Sequence, residues 1–261
     1  TRHVLIFPST PAECFEHMVT AFDLAERLQT PVLVMTDLDL GMNDNMSPPL
    51  KWDDNRTYDR GKVLTAEELE TMADRYGRYL DVDGDGITWR TIPGTHPTKG
   101  SFFTRGSSRD EMARYTEDSA AYVRNMNRLL KKWDTAKNLV PAPVFYQKEQ
   151  KSAFGVVFYG TTTYAALEAL DILKNDGIEL DAMRVLSFPF SESVEKFIES
   201  HEKVFVIEQN RDAQFRSLLI NELEINPKKL IKVLNFDGMP ITADAILKVI
   251  SPVLSPANLV N

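Results

Sequence analysis

Cations and hydroxyls gather on one loop-like stretch, Arg90 to Glu111, where Arg90, His96, Lys99, Arg105 and Arg109 sit on backbone rich in Gly, Ser and Thr. Guanidinium groups offer paired donors to a carboxylate or a phosphate, so this composition suits anion capture; an ordinary solvated loop has the same composition, and the residues alone leave the two readings even. With no evident packing role, the stretch is expected to take its order from a partner or a substrate. Asp81, Asp83, Asp85 and Gly86 occupy the first, third, fifth and sixth positions of a calcium-loop pattern. The twelfth is Ile92 instead of a bidentate Glu, and Pro93-Gly94 blocks the second helix, so a tight turn is the expectation. His3, His17, His96 and His201 show no ligand spacing, and no metal site is expected. Cys14 is the only cysteine, too few for an iron–sulfur cluster, and its place on the apolar side of a helix predicts a buried, inert thiol.

Three polar groups follow apolar strands, where open α/β sheets place ligands: Asp37 with Asp39, Gly160-Thr161-Thr162-Thr163, and Glu208-Gln209-Asn210. Asp37 and Asp39 read mainly as turn formers or helix caps. The Gly160 group lacks both the dinucleotide-site spacing and the P-loop lysine, and reads mainly as capping. Glu208 to Asn210 face either a ligand crevice or a partner chain.

The elements that would position these groups are legible from periodicity. His3 to Phe7 and Pro31 to Thr36 read as strands, the second nearly all apolar as if covered on both faces. Between them Thr10, Pro11 and Glu13 mark a capped helix start. Phe15, Met18, Val19, Phe22 and Leu28 give that helix a face to lay against a sheet. The unit is a right-handed βαβ that begins inside a domain, with Thr1-Arg2 leading straight into strand. Gly41 to Lys62 is a long polar loop. Helices are expected from Thr65 to about Arg78 and from Thr116 to Trp133. Met126, Leu129 and Leu130 form the stripe of the second, and Arg124, Arg128, Lys131 and Lys132 complement its dipole. Asn138 to Pro143 reads as a linker. Beyond it, strands at Phe154–Tyr159, Met183–Phe188, Lys203–Ile207 and Leu230–Leu234 alternate with helices at Tyr164–Lys174, Ser191–Ser200, Ala213–Leu223 and Ala243–Ile250. This order predicts an α/β doubly wound parallel sheet. The domains are placed at 1–140 and 150–261.

A chain of 261 residues suits two domains, and 43% apolar residues with 10% aromatics suit a globular one. A net charge of −8 provides no basic footprint for nucleic acid or anionic membrane. No run approaches the ~18–20 apolar residues of a membrane span, and a cytoplasmic location is expected. No nucleophile, general-base pair or cofactor fingerprint stands out.

Longer strings carry more. FPSTPAECFEHMVTAFDLAERLQTPVLVMTDLDLGM, YDRGK, DVDGDGITWRTIPGTHPTKGSFFTRGSSRDEMARYTED, MNRLLKKWDTA, SFPF, VFVIEQNRDAQ and FDGMPITA together resemble the alpha subunit of 2-oxoacid:ferredoxin oxidoreductases of the 2-oxoglutarate type. The resemblance covers nearly the whole chain. It implies a thiamine diphosphate enzyme that decarboxylates 2-oxoglutarate, passes electrons singly to ferredoxin and leaves succinyl-coenzyme A; pyruvate or another 2-oxoacid is the alternative within the class, and a non-catalytic assembly module the alternative outside it. It further implies that residues 1–140 are the later part of the pyrimidine-binding domain and 150–261 a transketolase C-terminal-like domain. The family's substrate motifs lie before Thr1. A beta subunit carries the diphosphate, magnesium and iron–sulfur cluster, so this stretch alone binds no cofactor and is inactive. By the same resemblance, Arg105, Arg109 and Asp110 line the active site or the substrate, although relatives carry a histidine-containing acidic loop where this chain has Ser108-Arg109-Asp110-Glu111.

Overall fold

The computed structural model describes residues 2–103, 108–146 and 152–255. Along them run β1 (Val4–Ile6), α1 (Pro11–Leu28), β2 (Val32–Val34), α2 (Leu38–Gly41), α3 (Ala66–Thr71), α4 (Ser119–Ala136), β3 (Val144–Tyr146), β4 (Phe154–Tyr159), α5 (Thr162–Asn175), β5 (Asp181–Val185), β6 (Ser187–Phe188), α6 (Glu192–Glu199), β7 (Lys203–Glu208), α7 (Gln214–Leu223), β8 (Leu230–Leu234) and α8 (Ala243–Leu254). The fold is mixed α/β with a largely parallel sheet. Two units divide the chain: one holds Thr1–Val4, Val19–Val32 and Trp52–Val140, the other Leu5–Met18, Leu33–Lys51 and Pro141–Asn261.

The second unit is built on a five-stranded sheet of order β3-β5-β4-β7-β8, parallel throughout except for the edge strand β3. Chain order runs outward from β4 in both directions, to β5 on one side and to β7 and β8 on the other. The topology therefore reverses between β4 and β7. Val156, Phe158, Phe205, Ile207 and Val233 face Leu173 of α5 and Ile246, Ile250 and Leu254 of α8 in one core. Strand alternation sends Gly155 and Val157 to the other face, where a Cβ on Gly155 would sit 3.1 Å from the Phe197 ring edge and from the His201 ring behind α6. Helices thus cover both faces, as the unbroken apolar strands require. A smaller sheet of order β2-β1-β6 pairs Leu5 with Phe188 and Ile6 with Ser187, antiparallel.

The first unit has little regular structure and is held by side chains. Leu64, Leu69 and Tyr76 form a small core, with Met72 and Trp89 against it. The acidic turn works as a turn. Asp81 accepts from the amides of Gly84 and Gly86 at 2.9 Å each, while Asp83 and Asp85 hold the Lys62 ammonium at 2.6 and 2.8 Å. Gly86, at φ +78°, lies against the backbone of α4.

Several expectations are corrected. Thr10 caps α1 by accepting from Glu13 N at 3.1 Å, but the Glu13 carboxylate bonds Ser9 N instead of the cap residue's amide and also pairs with Arg184. The buried positions of α1 are Ala21, Leu24 and Leu28; Met18 and Phe22 are exposed, Phe22 by 66%. Cys14 is half-buried, not buried, and burial, followed by the negative fields of Glu13 and Asp37, raises its thiol pKa. Strand β2 is a sheet edge with Leu33 and Met35 exposed, not covered on both faces. Helix α3 ends at Thr71, well short of Arg78, because the chain leaves helical geometry at Met72 and carries Tyr76 back into the small core. Helix α4 begins at Ser119, capped by Asp118. Its expected stripe of Met126, Leu129 and Leu130 is exposed, while Arg128 and Lys132 turn inward to the Gly86 and Leu28 carbonyls at 3.0 Å each. Those carbonyls need donors once Gly86 closes on the helix, and a bonded cation meets that need where Leu cannot.

In the stretch expected to take its order from a partner or a substrate, residues 104–107 lie outside the described ones, while Arg90 and Lys99 are bonded within their own unit. Arg90 pairs with Glu26 and donates to the Arg60 carbonyl at 2.9 Å. Lys99 donates to the carbonyls of Glu70 and Met72 at 2.8 and 3.1 Å. In the second unit the expected strand Met183–Phe188 is two, β5 and β6, and β3 was not anticipated.

Candidate functional site

The topological reversal between β4 and β7 opens a crevice at the carboxyl ends of the strands, the place where such sheets bind ligands. It is a cavity of about 560 Å³ within the second unit, a size usual for small-molecule sites. Each strand contributes the residue at which it stops being strand. Gly160 and Thr161 follow β4, Gln209 follows β7, Asn235 follows β8, and Asp37 and Asp39 come from the segment after β2.

These groups hold one another. The Thr161 hydroxyl donates to Asp37 Oδ2 at 2.5 Å, and Gln209 Nε2 donates to Thr161 Oγ1 at 3.2 Å and to Asp39 Oδ2 at 3.5 Å. Gln209 Oε1 accepts from Ile241 N at 3.1 Å, which fixes the amide's orientation. Asp37 also caps α2, accepting from Leu40 N at 3.1 Å, so the capping reading of this residue holds. The capping reading of Thr161 does not. Its hydroxyl is spent on Asp37, and α5 starts without a side-chain cap. Behind the crevice Glu208 is fully buried and accepts from Phe215 N at 2.8 Å and Arg216 N at 3.1 Å, closing the N-terminus of α7. It is a structural cap, neither crevice-lining nor partner-facing.

Tyr159 lies at the crevice wall. Burial, with the fields of Glu208 and Asp37 added, pushes its phenol up to about 12, so it keeps its proton near neutrality. Around the mouth Leu38, Phe236 and Met239 are exposed. The set offers carboxylates, an amide, a hydroxyl and apolar rims: it can orient a polar ligand, and the Thr161 hydroxyl, bonded to the Asp37 carboxylate, has the form of a nucleophile paired with a base. Among the described residues no group of three or more His, Cys, Asp or Glu is arranged to hold a metal ion.

Of the residues singled out for substrate contact, Arg109 and Asp110 are not among those that line this crevice. Arg105 falls outside the described residues. Arg109 is in the first unit, bridged to Tyr115 and receiving a 2.6 Å hydrogen bond from Asn125 on its carbonyl; its side chain lines a smaller cavity of about 160 Å³ beside Arg128. Asp110 uses its carboxylate within the loop, on Met112 N at 2.9 Å and Arg114 N at 2.8 Å. Sequence reasoning noted Asp37, Asp39, Thr161 and Gln209 singly and missed Asn235 and Tyr159; only the strand order shows which groups converge.

No family model matches the chain. Among curated proteins, the alpha subunit of 2-oxoacid:ferredoxin oxidoreductase 2 of Aeropyrum pernix is 28% identical over 234 residues, 88% of this chain and 35% of that protein. The chain is a relative of 2-oxoacid:ferredoxin oxidoreductase alpha subunits. The corresponding subunit of oxidoreductase 1 of Sulfurisphaera tokodaii is 25% identical over 248 residues, 92% of this chain and 37% of that protein. The 2-oxoglutarate synthase subunit KorA of Methanothermobacter thermautotrophicus is 23% identical over 86% of this chain and 58% of its own length. This chain therefore spans about a third to three fifths of the length of these relatives. In fold it matches the 2-oxoglutarate:ferredoxin oxidoreductase of Magnetococcus marinus, solved with 2-oxoglutarate, coenzyme A and succinyl-CoA bound, at a TM-score of 0.83 and 20% identity over 97% of this chain and 42% of that one.

Proposed function

We propose that the chain is the later part of the alpha subunit of a thiamine-diphosphate-dependent 2-oxoacid:ferredoxin oxidoreductase that converts 2-oxoglutarate to succinyl-coenzyme A with ferredoxin as acceptor. The alignment with oxidoreductase alpha subunits along nearly all of its length carries the reading. In it, residues 1–140 complete a pyrimidine-binding domain and 150–261 form a transketolase C-terminal-like domain, and Arg105, Arg109 and Asp110 line the active site of the assembled enzyme. The site is proposed to work in a complex with a beta subunit.

An iron–sulfur cluster does not fit this chain, which has one cysteine. The reading assigns the cluster, magnesium and the diphosphate end of thiamine diphosphate to the beta subunit. This chain's own contribution is to bind and orient. Pyruvate or another 2-oxoacid as substrate is the variant within the class. A non-catalytic assembly module is the second reading, favoured by the apolar residues at the mouth of the crevice.

Calorimetry tests the division of labour. The full-length parent chain alone is expected to show no micromolar thiamine diphosphate binding, about −8 kcal/mol, whereas its complex with the beta subunit binds it. Micromolar binding by the isolated chain, or failure of the two subunits to associate, contradicts the proposal.

A further inference from the structure

Three cations of the first unit, Arg78, Arg128 and Lys132, are satisfied only by neutral groups. Arg78 Nη1 donates to Thr88 Oγ1 at 2.9 Å, Arg128 Nη1 to the Gly86 carbonyl at 3.0 Å, and Lys132 Nζ to the Leu28 carbonyl at 3.0 Å. Both guanidinium carbons stand against one ring, 5.3 and 5.9 Å from the centroid of Tyr79. Among the described residues no carboxylate lies within ion-pair distance of any of the three. The acid whose field reaches Arg128 is Asp81, and its two oxygens are occupied by the amides of Gly84 and Gly86. Burial first lowers the pKa of all three; the field of Arg90 adds to it at Arg78, that of Arg78 at Arg128, and those of Arg128 and Arg78 at Lys132, which comes down to about 8. The three are half-buried, and a partly desolvated cluster of like charge without a counter-charge is unfavourable.

A cavity opens beside one member of this cluster, Arg128. It measures about 160 Å³ and is lined by Tyr79, Arg109, Asn125 and Arg128, with Met126 and Leu129 at the lip. We propose that this cavity is a binding site for a phosphate group, with Arg128 and Arg109 donating charge-assisted hydrogen bonds to its oxygens. The excess of cations matches a dianion better than a carboxylate, and the volume takes one tetrahedral oxyanion without a nucleoside attached to it. The site does not rest on the oxidoreductase reading: it is argued from a cluster that has no carboxylate at ion-pair distance among the described residues.

The test is titration of this chain in phosphate-free buffer at constant ionic strength, by calorimetry and thermal unfolding, with inorganic phosphate, AMP and acetate. Saturable binding of one phosphate per chain is expected, with AMP within about threefold of phosphate and no response to acetate. Arg128→Gln is expected to weaken phosphate by about 10–100-fold, the loss that follows removal of a charge-assisted hydrogen bond. A phosphate response no larger than that to acetate, binding unchanged in Arg128→Gln, or binding of AMP alone overturns the site. Should Arg128→Gln fail to fold, Leu129→Glu serves. This residue is 37% exposed at the lip, and a carboxylate there is expected to raise the melting temperature without phosphate and to abolish the phosphate response. Undiminished phosphate binding by Leu129→Glu likewise overturns the proposal.

Discussion

Gly86 closes the acidic turn onto helix α4, and its replacement separates two costs that are usually confounded. At φ +78° a side chain is strained, and a Cβ would stand 2.2 Å from Lys132 N, 2.6 Å from the Arg128 carbonyl oxygen and 2.7 Å from Lys132 Cα. All three are backbone atoms that cannot rotate away. Gly84, two residues earlier, has a similar φ of +74° and nothing within 4 Å of its Cβ position. Gly84→Ala should therefore cost only the left-handed conformation, ~1–2 kcal/mol. Gly86→Ala should add an overpacking cost of ~1–3 kcal/mol as α4 is pushed off the turn and the Arg128 bond to Gly86 is stretched. Trp52, Trp89 and Trp133 all lie in the first unit, so urea unfolding followed by tryptophan fluorescence reports on the affected unit. Equal destabilisation by the two variants, within about 0.5 kcal/mol of experimental error, would refute the packing argument.

Three further outcomes follow. Glu208→Ala removes the buried acceptor of Phe215 N and Arg216 N and should destabilise the second unit by ~2–3 kcal/mol, seen as a lower melting temperature by far-ultraviolet circular dichroism. Lys132, at about 8 in the folded chain against an ordinary 10.5, binds its proton less tightly than in the unfolded chain; its contribution makes stability rise with pH from about 8 to 10.5. In phosphate-free buffer the stability of Lys132→Met relative to wild type should therefore fall by ~1–3 kcal/mol between pH 7 and pH 10, a difference that does not depend on the cost of the lost bond to the Leu28 carbonyl, as read by denaturant midpoints at both pH values. In the assembled enzyme Arg109→Ala should lower kcat/KM for 2-oxoglutarate by about 10–100-fold without lowering the melting temperature; unchanged kinetics would remove Arg109 from the active site.

The second unit was legible because its signals are local and agree. Phe154–Tyr159 and Leu230–Leu234 are strands at the expected bounds, since β-branched and aromatic runs flanked by turn residues leave no other reading. The first unit was not, because its order comes from distant pairs such as Lys62 with Asp83 and Asp85, or Arg90 with Glu26, which leave no periodicity. Helix α4 shows the limit of the apolar stripe. Met126, Leu129 and Leu130 have the spacing of a core face, yet Arg128 and Lys132 take the inner positions because carbonyls of neighbouring segments require donors there. The crevice was half legible: Asp37, Thr161 and Gln209 each stood at a strand end, and their convergence depends on the order β5-β4-β7, which no local pattern encodes.

The most direct measurement of the central proposal is ferredoxin reduction by the full-length parent of this chain assembled with its beta subunit, followed spectroscopically with 2-oxoglutarate, pyruvate and a branched 2-oxoacid in turn. Reduction that requires both coenzyme A and a 2-oxoacid, fastest with 2-oxoglutarate and absent from either subunit alone, is the expected result. A properly assembled complex that reduces ferredoxin with none of the three acids would contradict it.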